Sequence, residues 1–141
     1  MISKALFDEF LAPFYRRIVP IVHEYGAVVS IDSDGDITDA VDWYGSVGAD
    51  IMSPLERQAG VDLMKLRDQY PNFLFIGHYD KMVMPLGEEA MRAEFERLLP
   101  VMRQGGFIPS VDHQTPPGVS LENYEIYLRL LREYCEKAAQ K

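Results

Sequence analysis

A single cysteine, Cys135, stands among 141 residues. One thiol closes no internal disulfide, so the fold rests on its apolar core, and the usage suits a reducing, cytoplasmic setting. Histidine is almost as scarce, with only His23, His78 and His113. No apolar run approaches the roughly 20 residues that a membrane-spanning helix needs. The opening residues show no basic flank leading into an apolar stretch of the secretory kind. Positive charge is also in short supply: 14 Lys and Arg face 22 Asp and Glu, a formal charge of −8. Such a balance repels nucleic-acid phosphates, and it weakens long-range steering of anionic substrates without forbidding a local basic pocket. No tract of low complexity and no block of like charge marks a tail. A cytoplasmic protein with neither nucleic-acid nor membrane partner is expected.

What is present is enough apolar material for one core. Hydrophobic residues make up 48% of the chain, which predicts a single domain over residues 1–141. Phe7, Phe10, Leu11, Phe14, Ile18, Ile21 and Val22 recur at three- and four-residue steps, as on an amphipathic helix. Pro13 and Pro20 interrupt that run, and a short helix followed by a second one from about Pro13 is expected, ending at Gly26. Residues 27–31 are β-branched and apolar without alternation, the pattern of a strand covered on both faces. A helical stretch from Asp36 puts Ile37, Ala40, Val41 and Tyr44 on one face. Further strands are expected at 50–52, 73–76 and 107–111, and further helices at 61–70, at 88–103 and after Ser120. Ser120 suits an N-cap, with Glu122 in the first turn. One helix followed by four strand–helix repeats implies an α/β fold with a parallel sheet. Periodicity does not choose between an open doubly wound sheet and half of a (β/α)8 barrel, which in full needs ~250 residues.

The ordered motifs do choose. Gly105-Gly106-Phe107-Ile108-Pro109-Ser110-Val111-Asp112-His113-Gln114-Thr115-Pro116-Pro117 leads into Val119-Ser120-Leu121-Glu122-Asn123-Tyr124. Before it stand Pro54-Leu55-Glu56, then Ala59-Gly60-Val61-Asp62, then Gly77 through Asp80-Lys81, after the opening stretch from Phe7 to Pro13. Taken in order, these blocks resemble the C-terminal half of the uroporphyrinogen decarboxylase superfamily, which includes the corrinoid-linked methyltransferases. The resemblance implies about four parallel strands with flanking helices, half of a (β/α)8 TIM barrel. It also implies that the arginine-bearing loop and the aspartate of the N-terminal half have no counterpart here.

In such barrels the site lies at the carboxyl ends of the strands. After the first strand the chain reads Asp32-Ser33-Asp34-Gly35-Asp36. The methyltransferases carry His-x-Cys-Gly at this turn for zinc, so alignment on Gly35 places Asp32 and Asp34 at the ligand positions, with His113 after the last strand. A carboxylate and imidazole set suits Mn2+ or Mg2+ and still accommodates Zn2+. Capping and turn formation are the plain alternative for these aspartates. An EF-hand is excluded, since Ile37 and Trp43 occupy its sixth and twelfth positions.

His113 is the expected catalytic residue, a general acid or base in a proline-rich loop whose neighbour Asp112 would raise its pKa. Glu56, His78, Asp80 and Lys81 are the substrate-binding candidates, the last two alternatively forming an ion pair of their own. His78 replaces the glycine usual in the family, so it is expected to narrow the pocket or add a ligand. His23 reads as structural, and Trp43, Tyr44, Met82 and Met84 as packing. Three functions stay open: a decarboxylase-like half-site inactive alone, half of a corrinoid-linked methyltransferase-like protein with a metal, and a non-catalytic scaffold. Two open sheet edges predict either a homodimer or a missing N-terminal half-barrel as partner.

Overall fold

Side-chain oxygens fix where several helices begin. In the computed structural model, which describes residues 2–140, Ser3 accepts from the Leu6 N–H, Asp62 from the Lys65 N–H and Ser120 from the Asn123 N–H. The helices are α1 (Lys4–Leu6), α2 (Ala12–Glu24), α3 (Ala40–Gly45), α4 (Leu63–Gln69), α5 (Glu88–Gln104) and α6 (Leu121–Ala139). Between them lie β1 (Ser30–Asp32), β2 (Ile51–Ser53), β3 (Leu74–Tyr79) and β4 (Phe107–Val111). Short 3-10 turns at Arg57–Ala59 and Lys81–Leu86 follow β2 and β3.

The four strands are parallel and lie in sequence order, β1-β2-β3-β4. A doubly wound sheet would reverse its order at a switch point. This one never does, so the arrangement is that of half a (β/α)8 barrel, and it does not close. Along each strand side chains alternate between faces. Ile31, Met52, Phe75 and Phe107 are buried toward the helices, where they meet Met91, Phe95, Leu98 and Leu130. Tyr79, Phe95, Tyr127 and Tyr134 pack ring on ring between β3, α5 and α6, with centroids 4.5–5.8 Å apart. Among the described residues, no helix covers the opposite face. There Leu74 is exposed, and Ile108 is 60% accessible.

The opening segment follows the expectation in outline: α1 is short and α2 starts at Ala12, next to Pro13, with a π-helical turn at Phe7–Leu11 between them. Its apolar stripe makes the core contact only in part. Phe7, Ala12 and Val19 are buried, with Phe7 packed on Trp43 and Tyr44, while Phe10, Phe14, Ile18 and Ile21 face outward. Periodicity reports an apolar face but not which neighbour covers it. Met82 likewise is exposed, whereas Met84 is buried as expected. β1 starts later than expected, at Ser30, and β3 runs three residues further, to Tyr79.

Candidate functional site

Past the carboxyl ends of the strands, polar side chains from three separate loops converge. One ligand atom each from Asp34, Glu56 and His113 lies within 4.8 Å of the others. His113 Nε2 stands 3.5 Å from Asp34 Oδ1. Glu56 Oε2 accepts from the Gly35 N–H at 2.8 Å, and Lys81 Nζ lies 3.5 Å from its other oxygen. The Gly35 N–H foremost, helped by Lys81 and His113, holds the Glu56 carboxyl below the usual glutamate range. Gly35 has φ +82, the left-handed conformation that turns its N–H onto Glu56 without steric cost.

Behind this front row sit buried polar groups. Asp112 is fully buried, and its carboxylate accepts from the Arg57 N–H at 2.8 Å and the Lys81 N–H at 3.4 Å. Lys81 Nζ approaches it to 3.6 Å. Burial raises the Asp112 carboxyl, against the opposing pull of Arg57 and Lys81. His78 is 1% exposed, and its Nδ1 lies 3.0 Å from the Leu55 carbonyl, geometry in which a protonated Nδ1 donates to that oxygen. Desolvation lowers its pKa to about 4, so the ring is neutral near pH 7. Leu55 and His78 both have φ near +60, uncommon for residues with a side chain, and they face one another across β2 and β3.

The sequence-derived candidates therefore separate. Asp34 and His113 come together, but Asp32 is exposed and stands outside their group, while Glu56 joins it. His78 is also outside the group, turned into the β2–β3 junction. Asp112 does not serve His113; its side chain points inward, and the carboxylate beside His113 is Asp34. Asp80 and Lys81 do not pair with one another. Asp80 takes the Gln58 side-chain amide and caps Met82, while Lys81 pairs with Glu56 and Asp112. Arg97 and Glu94 went unnoticed in the sequence: Arg97 donates to the His78 carbonyl, and Glu94 accepts from the Asp80 N–H. Their position inside α5 carries no motif that would have revealed them.

A separate hollow lies at the amino ends of the strands, bordered by Val28, Ala49, Asp50, Tyr70 and Phe73. Its carboxylate is already committed. Asp50 accepts from the Val29 N–H at 2.7 Å and bonds His23 Nε2 at 2.8 Å. That pairing gives His23 the structural role expected of it.

Consecutive parallel strands with polar groups gathered beyond their carboxyl ends define a barrel-type α/β domain. The chain belongs to the uroporphyrinogen decarboxylase (URO-D) family, whose model matches residues 1–134. No curated protein matches it. Among the described residues, no helix is long and apolar enough to cross a membrane.

Proposed function

We propose that this domain supplies one wall of a barrel-mouth active site with decarboxylase-like, lyase chemistry on a carboxylated substrate, and that it is inactive alone. The observation that carries the reading is the convergence of Asp34, Glu56 and His113 at the mouth of a family-typical half-barrel. Loss of carbon dioxide leaves a carbanion that must take up a proton. His113, accessible and beside Asp34, is the group suited to deliver it. Lys81 is the nearest ammonium for a substrate carboxylate, although Glu56 and Asp112 already share its charge. Both sheet edges and the bare inner face are to be completed by four further strands, from a second copy or from a preceding half-barrel.

A second reading, closer to the methyltransferase branch, has a divalent metal held by Asp34, Glu56 and His113. The donors fit one: two carboxylates and an imidazole suit Mn2+ or Zn2+, and each carboxylate oxygen keeps a free lone pair. A cation there would also relieve the repulsion between these acids and an acidic substrate.

One 15N-labelled sample tests both readings. Uroporphyrin, an octacarboxylate, should shift the amides near Gly35, Lys81 and His113 and leave those near Tyr70 and Phe73 unmoved. Shifts confined to the Tyr70 end, or none, would contradict the proposal. Paramagnetic Mn2+ should broaden resonances around Asp34, Glu56 and His113 in the native chain and not in Asp34→Ala. Broadening that survives in Asp34→Ala would rule out the metal reading while leaving the substrate reading standing.

A further inference from the structure

Three polar contacts, one buried and two partly buried, point at one residue. Leu55, just before Glu56, has its carbonyl 3.0 Å from His78 Nδ1. Arg57, just after it, donates its N–H to Asp112 at 2.8 Å. The Glu56 carboxylate itself is held by the Gly35 N–H and lies beside Lys81, whose own backbone N–H is bound by Asp112. Among the described residues, His78 and Asp112 are two of the four buried polar or charged side chains, at 1% and 0% exposure, and the other two are Arg67 and Glu94. Arg67 ties the turn at Pro71 and Phe73, and Glu94 carries the Asp80 N–H. Burying a polar group is costly unless it is bonded, and an uncommon backbone conformation persists only where its surroundings enforce it. Here a bonded buried group lies on either side of a single mouth carboxylate, and the uncommon backbone falls on the residue before it.

We infer that His78 and Asp112 are positioning residues that grip the backbone before and after Glu56, making Glu56 the most firmly placed acid of the mouth. The inference rests on the reading of the mouth as the active site. It gives Glu56 a defined place where periodicity and motif offered only a loop acid. The grip acts through the backbone: fixing residues 55 and 57 aims the side chain between them at Gly35. The Leu55 conformation, at φ +60, is kept by the His78 contact to its carbonyl. Lys81 completes the arrangement by standing between Glu56 and Asp112.

The readout is the hydrogen bond from the Gly35 N–H to the Glu56 carboxylate, followed by hydrogen exchange of the Gly35 amide, which needs neither substrate nor metal. Failure of the ligand or metal readings therefore leaves this test intact, and the reverse also holds. In the native chain the Gly35 amide should exchange several-fold more slowly than in Glu56→Ala, which removes the acceptor. His78→Gly relieves the backbone strain and removes the contact to Leu55, and it should bring Gly35 exchange up to that of Glu56→Ala. His78→Asn tolerates the left-handed backbone and keeps a donor toward Leu55, so Gly35 should stay protected. If His78→Gly does not fold, His78→Gln takes its place, since its longer amide overshoots Leu55; Gly35 should again lose protection. A merely structural histidine would lower the melting temperature in the Gly and Gln variants and leave Gly35 as protected, relative to its neighbours, as before. That result, or a native Gly35 amide no better protected than in Glu56→Ala, would overturn the inference.

Discussion

Gly77→Ala should prevent the chain from reaching a stable fold. Gly77 lies in β3 with φ +116, and an added Cβ would fall 1.8 Å from the Pro54 carbonyl oxygen and 2.6 Å from its carbon. Neither atom can retreat cheaply. The same oxygen accepts the His78 N–H at 3.1 Å, and β2 is already in register with β3 at Met52 and Phe75. The backbone conformation alone costs a residue with a Cβ on the order of 1–3 kcal/mol. Forcing β2 and β3 apart adds the loss of ladder bonds and core contacts. A total above about 4 kcal/mol is expected, a large share of the ~5–15 kcal/mol that a domain of this kind has. Gly60 is the control: it has φ +98 but nothing within 4 Å of its added Cβ. Gly60→Ala should therefore cost only its conformational penalty. Urea denaturation of both variants makes the comparison, and a Gly77→Ala chain within about 1 kcal/mol of the native one would refute the close approach.

Folding stability should fall between pH 6.5 and 4.5 because of His78. Its pKa drops from 6.5 in the free residue to about 4 in the fold, chiefly by desolvation. The unfolded chain therefore binds a proton in this window that the folded chain does not, and stability rises with pH there. Going from pH 7 to pH 4.5 should cost about 2.5 kcal/mol at ~1.4 kcal/mol per pH unit. The depressed carboxyls of Glu56 and Asp50 act lower, as they lose their contribution only when protonated. At Asp50 burial works upward, and the Val29 N–H with His23 outweighs it. Asp112, raised by burial, has the opposite sign, favouring the fold at acid pH and losing that contribution as pH rises. The difference between the native chain and His78→Asn isolates the histidine. Denaturation midpoints at pH 7, 5.5 and 4.5 should converge toward those of the variant on acidification. Parallel curves would mean that His78 is not desolvated.

Much of the architecture was legible because its signals are local. Glycine pairs, β-branched runs and helical periodicity located all four strands and placed α5 and α6 within a residue or so. The order of motifs then selected the barrel over the doubly wound sheet, which the sequential parallel order bears out. What failed was non-local. Of the apolar stripe from Phe7 to Val22 only Phe7 is fully buried, and Ala12 and Val19 make the rest of the contact, since a periodic face does not name its neighbour.

The site divides along the same line. Asp34 and His113 could be named because each follows a strand, where barrel chemistry collects. Pairing Asp34 with Glu56 and not with Asp32 depends on strand twist and on the Gly35 N–H, neither of which spacing encodes. Asp112 looked like the partner of His113 because it precedes it. β4 ends at Val111, and in the turn that follows Asp112 points inward to the Arg57 N–H and to Lys81. The quoted block from Gly77 to Lys81 marked the right place without revealing that Gly77 and His78 are there for β2's exit loop.

As one half of an active-site barrel, the function proposed above, this chain would leave its inner face and two strand edges to be covered. Light scattering coupled to size exclusion, over a concentration series, tests that most directly. The bare face at Leu74 and Ile108 and the outward stripe from Phe10 to Ile21 should drive association. The predicted result is a molar mass above the 16.1 kDa of one chain, rising with concentration toward twice that value or more. A monomer at every concentration, stable and without aggregation, would contradict it.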